Sequence, residues 1–332
     1  MIRARNWLPL VVGLAVVSSG CSVQLVGTPV AAPVTVTTTK DKKAEATAVG
    51  LLGDLPTLDP CSLLGVADLK NFGKVEPGTV ESLDYCLYHV TTPAGAKLDV
   101  MVGSLDQLAS EGEARGDVRN HKGGLRIAYE DGDATQCGRR LVFSDLVTLS
   151  ITVGNYGEAK TTTSELCNPA DAAATATADR VLDKDVEHRT FRARSIGKLD
   201  PCTVVGKQVL AGVPGIGQAK VHPYPAGHQC RWSPDGTITA PRVRVAFSMG
   251  VPAKADGPLR TSEDIAGRAT TISRTSATSI ALCTAETTHM AVDDGLSELA
   301  YVSVSMAQGS QIDAACTSAK VIANEVWRQL PR

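Results

Sequence analysis

Four stretches of the chain alternate apolar and polar residues with a period of two. Leu98, Val100 and Val102 are separated by Asp99 and Met101; Leu149, Ile151 and Val153 by Ser150 and Thr152. Val243, Val245 and Phe247 are separated by Arg244 and Ala246, and Val302, Val304 and Met306 by Ser303 and Ser305. Successive strand side chains point to opposite faces, so this pattern predicts strands with one buried and one wetter face, as in an antiparallel sheet. Two longer stretches suit helices that close their domains: Pro169 to Leu182, with Asn168 as a cap, and Ser318 to Leu330. Val321, Ile322, Val326 and Leu330 are the expected core face of the second. The expected fold class is therefore α+β, two tandem homologous domains, each an antiparallel sheet with terminal helices.

Leu58-Asp59-Pro60-Cys61 returns as Leu199-Asp200-Pro201-Cys202, and the pattern that follows returns with it. Cys86 precedes Tyr88 by two residues, as Cys230 precedes Trp232; Cys137 and Cys167 match Cys283 and Cys316. The cysteine gaps are 25, 51 and 30 residues in the first half and 28, 53 and 33 in the second. Matched landmarks at matched gaps mark an internal duplication. Asp is a favoured helix cap and Pro a favoured first helical residue, whose missing N–H would be unpaired there anyway. Leu58 with Leu63, and Leu199 with Val204, would form hydrophobic staples. Each copy is thus expected to open on a capped helix, with Leu63, Leu64, Val66, Ala67 and Leu69 as the apolar stripe of the first. The boundary between copies falls near 185–197, a polar segment holding Glu187, His188, Arg189, Arg192 and Arg194.

The beginning of the chain reads differently. Arg3 and Arg5 precede an apolar run from Trp7 to Val17, then Ser18, Ser19, Gly20 and Cys21. This is the layout of a signal peptide, and the run is shorter than the ~20 apolar residues a membrane-spanning helix needs. The Ser-Ser-Gly-Cys stretch resembles the lipobox of bacterial lipoproteins, with Ser18 standing where an aliphatic residue is usual. The resemblance implies cleavage before Cys21, diacylglyceryl and palmitoyl attachment to it, and an extracytoplasmic location at the cell membrane. Residues 1–20 would be the signal peptide. Residues 21–56, rich in Thr, Ala, Val, Pro and Lys, would be a flexible tether reaching roughly 30 Å from the anchor. The first domain would then span 57–186 and the second 197–332.

Nine cysteines among 332 residues now divide into four, four and one. In an exported protein, Cys61, Cys86, Cys137 and Cys167, and likewise Cys202, Cys230, Cys283 and Cys316, read as two disulfides per copy. Each set of four admits three connectivities. Pairing in order is favoured, because it would pin the opening helix to the next strand and the closing helix to the last strand. Zinc ligation needs closer spacing such as C-x₂-C, which is absent, so no metal or cofactor is expected.

Charge excludes one class of partner. The formal net charge is −2, and loss of Arg3 and Arg5 with the signal peptide leaves 31 basic against 35 acidic residues. A nucleic-acid binder needs a basic surface, so none is expected as a partner. The six histidines form no H-E-x-x-H, and no G-x-S-x-G elbow or phosphate loop occurs. Gly212, Gly215 and Gly217, around Pro214, suit a turn. Glu130, Asp131 and Asp133, flanking Gly132, lack the rest of a calcium loop and read as a solvated turn, as does Asp293-Asp294-Gly295. Arg139-Arg140 and Arg242/Arg244 read as exposed sheet faces. Tyr88 and Trp232 read as packing against a disulfide, with a ligand groove as the alternative.

The lipobox, Thr-rich tether, Asp-Pro-Cys start, later Cys-x-aromatic strand and two further cysteines resemble the secreted actinobacterial lipoproteins, common in mycobacteria, that carry a domain of unknown function. The resemblance spans 58–184 and again 199–332, through Asp59, Pro60, Cys61, Cys86, Asp200, Pro201, Cys202, Cys230 and Trp232. Tyr88 departs from the usual Trp, and Val204-Val205 from the usual Leu-Leu. More loosely, the chain resembles disulfide-pinned extracellular sensor domains of actinobacterial kinases. The family carries no catalytic residues to transfer. The absence of a catalytic constellation, with a duplicated scaffold on an anchor, points to a non-catalytic ligand-binding, sensor or protein-interaction module of the cell envelope; the alternative is an envelope hydrolase whose site is assembled in space.

Overall fold

The computed structural model describes residues 46–332 apart from 81, 237–239, 278–279, 293–294 and 308, and leaves the side chains of 77–80 and 310 undescribed. Cys21, the signal peptide and residues 21–45 of the expected tether lie outside the described residues, as does Asp293-Asp294.

Two seven-stranded antiparallel sheets carry the chain. The first contains β1 (Lys74–Val80), β2 (Tyr85–Thr91), β3 (Lys97–Gln107), β4 (Asp117–Asn120), β5 (Arg126–Tyr129), β6 (Gln136–Val142) and β7 (Val147–Asn155). The second contains β8 (Lys220–Pro223), β9 (Gln229–Ser233), β10 (Arg242–Gly250), β11 (Arg260–Ile265), β12 (Arg268–Ala277), β13 (Ile280–Ala291) and β14 (Ser297–Met306). The order across the first sheet is β1-β2-β3-β7-β6-β5-β4, and across the second β8-β9-β10-β14-β13-β12-β11. Numbered within each copy, the two orders are identical, so the repeated cysteine pattern is a repeat of topology. The fold is α+β, two tandem copies with two disulfides each.

The period-two alternation maps directly onto burial. Leu98, Val100, Val102, Leu149, Ile151 and Val153 are buried in the first core; Val243, Val245, Phe247, Val302, Val304 and Met306 are buried in the second. A long helix covers that face of each sheet. Helix α3 (Thr163–Asp183) lies over β6, β7 and β3, and α5 (Ile312–Gln329) over β12, β13 and β14. Both begin six residues before their expected starts. The cap of α3 is Thr162, whose hydroxyl accepts from Glu165 N while Glu165 reaches back to Thr162 N, a reciprocal capping box. Asn168 is therefore not a cap, and Pro169 sits inside the helix rather than at its first turn. In α5, Ile322, Val326 and Leu330 are buried as expected, but Val321 faces out, 53% exposed.

The Asp-Pro-Cys motif caps less helix than expected. Asp59 accepts from Cys61 N at 3.0 Å and Asp200 from Cys202 N at 2.8 Å. In the first copy, the result is one 3-10 turn, Pro60–Leu63, then a break and a single turn α2 (Val66–Leu69). In the second, a turn precedes α4 (Lys207–Ala211). One cause is visible in the first copy: the Tyr88 hydroxyl donates to the carbonyls of Cys61 and Leu64, acceptors a continuous helix would use itself. Burial pushes the Tyr88 phenol up to about 12, so it remains a donor.

Residues 46–56, assigned to the tether from the sequence, belong to the first copy. Helix α1 (Ala48–Leu52) is capped by Thr47, and Ala48 N donates to Asp145 across the fold at 3.0 Å. Ala48, Leu52 and Leu55 are buried in the first core. The apolar spacing Ala48, Leu52, Leu55 is a short helical face, too brief to distinguish from coil without the sheet it covers.

The disulfides pair in order: Cys61–Cys86, Cys137–Cys167, Cys202–Cys230 and Cys283–Cys316. Cys137 and Cys283 lie on β6 and β13, so the closing helix is pinned to the penultimate strand of its copy, not the last. Closing the 30-residue separation of Cys137 and Cys167 removes unfolded-state freedom worth about 3.6 kcal/mol. The double variant Cys137→Ser/Cys167→Ser should lose stability of that order in urea denaturation while keeping its far-UV signature.

Candidate functional site

The site is built where the two copies meet. Strand pairing sets Cys86 opposite Val102 and Cys230 opposite Val245, which aligns one copy on the other residue by residue. Asp84 and His228 each stand two residues before those cysteines, at equivalent corners. They bond to each other: Nδ1 of His228 lies 2.7 Å from Oδ1 of Asp84, and their side chains are 1% and 3% exposed. The backbone repeats the equivalence. Ser104 N donates to the Asp84 carbonyl, and Phe247 N, its counterpart, donates to the His228 carbonyl. Leu83 sits in the second core and Ala226 in the first, so each corner is inserted into the other copy. Contacts exchanged in this way have the logic of an isologous dimer interface, here covalently fused.

Further bonds hold the joint. Arg189, from the polar linker, pairs with Asp59 at 2.9 Å, and Leu58 bridges His188. His222 of β8 pairs with Asp106 of β3 at 2.6 Å. The edge of Phe191 meets the His228 ring, with centroids 5.8 Å apart. The first corner is the more constrained. Gly103 has φ +127°, and a Cβ there would strike the Asp84 carbonyl; Ser104 has φ +48°. Nε2 of His228 is buried and has no hydrogen-bond partner among the described residues.

Above this pair lies a cavity of 370 Å³ between the first copy's corner and the face of the second sheet that α5 does not cover. Ser82 and Tyr85 come from the first copy; Arg244, Ser248, Tyr301 and Ser303 are among the groups from the second. The two sheets differ here. Strand registers place Met101 at the position of Arg244, Ser150 at that of Tyr301, Gly138 at that of Thr284 and Arg140 at that of Glu286. Burial raises the Tyr301 phenol above its ordinary value, with Glu286 and Tyr85 adding to the shift. Burial also raises the Glu286 carboxyl, while Ala253 N, donating to it at 2.7 Å, and Arg260 oppose the rise. A bonded chain descends from the cavity: Arg244 donates to Gln229 Oε1 at 2.6 Å, and Gln229 Nε2 donates to Asp84 Oδ2.

Other residues singled out from the sequence go elsewhere. Tyr88 and Trp232 are buried in their own cores, with the Tyr88 hydroxyl on the Cys61 carbonyl; Trp232 also edges a groove with Leu210 and Val221. Arg139 is not on an exposed face. Residues 137, 139 and 141 share one parity, so its guanidinium points under α3, where it is 7% exposed and meets Asp171 at 2.5 Å. Arg140, of the other parity, pairs with Glu130 at 2.8 Å. Arg242 is half-buried, and burial lowers its pKa, whereas Arg244 is exposed. Asp133 turns its carboxylate onto Thr135 and Gln136 N, the solvated turn expected. Among the described residues no group of three or more His, Cys, Asp or Glu side chains could hold a metal. No sequence motif marks Asp84 or His228; the one signal is that superposing the repeats on Cys86 and Cys230 aligns an acid with a histidine.

Comparison with known proteins adds little. No family model matches the chain, and no curated protein matches it. The crystal structure of DynU16, a protein in the dynemicin biosynthetic locus, aligns over 78% of this chain and 89% of that one at 13% identity. Its TM-score of 0.12 carries no argument about fold or function.

Two outcomes follow from the joint. Asp84→Ala strands a buried imidazole and should cost about 3–5 kcal/mol, read by urea denaturation, with a larger radius of gyration in solution scattering as the copies part. Glu286 titrates the other way from a salt-bridged acid. Because its folded-state pKa is raised, the stability it contributes is full below a glutamate's ordinary 4.5 and is lost as pH rises through the folded value. Glu286→Gln should therefore raise the melting temperature at pH 7 and leave it unchanged at pH 4.

Proposed function

We propose that this is a membrane-anchored extracytoplasmic lipoprotein of the actinobacterial family it resembles, held by acyl chains on Cys21. Its role is to bind a ligand or partner at the joint of its two copies rather than to catalyse a reaction. The observation that carries the reading is the cavity formed jointly by Tyr85 of one copy and Arg244 and Tyr301 of the other. Duplicated domains fused face to corner provide a fixed concave surface, the usual place for a ligand. Four disulfides fit an exported protein, and among the described residues no helix is long and apolar enough to cross a membrane. Acyl chains would then supply the attachment.

A histidine bonded to a buried aspartate also occurs in hydrolases, where the other ring nitrogen meets a nucleophilic hydroxyl. Among the described residues Nε2 of His228 has no such partner, which favours binding. Labelled palmitate should enter the wild-type chain and not Cys21→Ser, which should leave the membrane fraction. Thermal-shift screening of the mature chain against glycans and lipids, with pull-down from envelope extracts, tests the binding role. A hit that Ser303→Trp abolishes supports the cavity; a hit that survives Ser303→Trp places the interaction elsewhere.

A further inference from the structure

We infer that the joint cavity is a seat for a small sugar acid, a one- or two-ring saccharide bearing a single carboxylate. This deepens the proposed binding role and rests on it. The charge count comes first. Arg244 is exposed at the cavity, and its hydrogen-bond partner is the neutral amide oxygen of Gln229. Among the described residues no carboxylate lies within ion-pair reach of it. One guanidinium fork matches one carboxylate through two parallel bonds. A phosphate dianion would call for a second cation in the wall, and the lining of this cavity has none.

Beside the apolar Ala246, Phe247 and Leu282, much of the wall is hydroxylic. Thr284 and Ser303 bond to each other at 3.0 Å, and Ser248 bonds to Ser82 across the two copies at 3.4 Å. A hydroxyl donates and accepts, so such a wall meets the alternating demands of a polyol without leaving a group unpaired. Tyr85 and Tyr301 add aromatic surface from opposite copies, suited to the apolar C–H groups of a sugar ring. At 370 Å³ the space lies near the lower end for ligand cavities, too small for a polymer and too polar for an acyl chain. The equivalent face of the first sheet carries Met101, Ser150 and Gly138 at the positions of Arg244, Tyr301 and Thr284, and its Arg140, at the position of Glu286, is engaged by Glu130, so the phenol and the cation at that place are missing. The specificity belongs to the second copy.

The test is titration calorimetry and thermal shift on the mature full chain with three probes: D-glucuronate, D-glucose and acetate. Glucuronate should bind and raise the melting temperature, glucose should bind at least about 10-fold more weakly, and acetate should give no shift. Arg244→Gln, an exposed change that should keep the wild-type fold by circular dichroism, should weaken glucuronate about 10-fold or more. Ser303→Trp should abolish its binding. Equal binding of glucose and glucuronate, or glucuronate binding unchanged in Arg244→Gln, overturns the sugar acid; if Ser303→Trp still blocks binding, the cavity remains the binding seat. Failure of all three probes with the wild-type chain overturns the sugar acid as well. If, in addition, the ligands or partners found by screening and pull-down still bind Ser303→Trp, the cavity falls with it.

Discussion

A carboxylate and an imidazole that leave water together must satisfy each other, and Asp84 and His228 do so at the centre of this molecule. Each comes from the corner before a cysteine-bearing strand, and each corner sends a neighbour into the other copy's core. The pair therefore fixes more than a contact. It sets which corner faces which sheet, and hence what lines the cavity above it. Removing one partner leaves a buried polar group alone, which is why the joint depends on both.

The disulfides act one level below. Each ties an opening turn or a closing helix to a strand of the same copy, so each copy keeps its sheet and its cover as a unit. With aromatics at 4% of the chain, these ties supplement cores built chiefly of Val, Leu, Ile and Ala. Two such units offer similar cores and identical strand orders, but unlike outer faces. The second sheet carries Arg244, Thr284, Glu286 and Tyr301 where the first has Met101, Gly138, Arg140 and Ser150. Duplication supplied the frame; the differences on the uncovered face supplied a site.

Core and fold class were legible because burial imposes a period. The strand residues named from alternation, Leu98 through Met306, are all in the two cores. The structure departs from a local signal where that signal has two physical readings. Pro169 signals a helix start, yet the Thr162–Glu165 capping box lies upstream and the helix tolerates the proline inside it. Asp-Pro-Cys signals a helix cap, yet Tyr88 captures the carbonyls that would continue the helix. Arg139-Arg140 looks like an exposed pair, but adjacent strand residues cannot share a face, and Asp171 accepts the inward one.

Sequence alone determined the duplication, the fold class and the set of eight cysteines in the two copies, because spacing and alternation are local records of pairing and burial. Tertiary structure decided the joint. Asp84 and His228 are 144 residues apart, and nothing near either one announces a partner at that distance. Their bond forms only because two copies of one fold present equivalent corners, and the cavity that supports a binding role exists only once those corners have met.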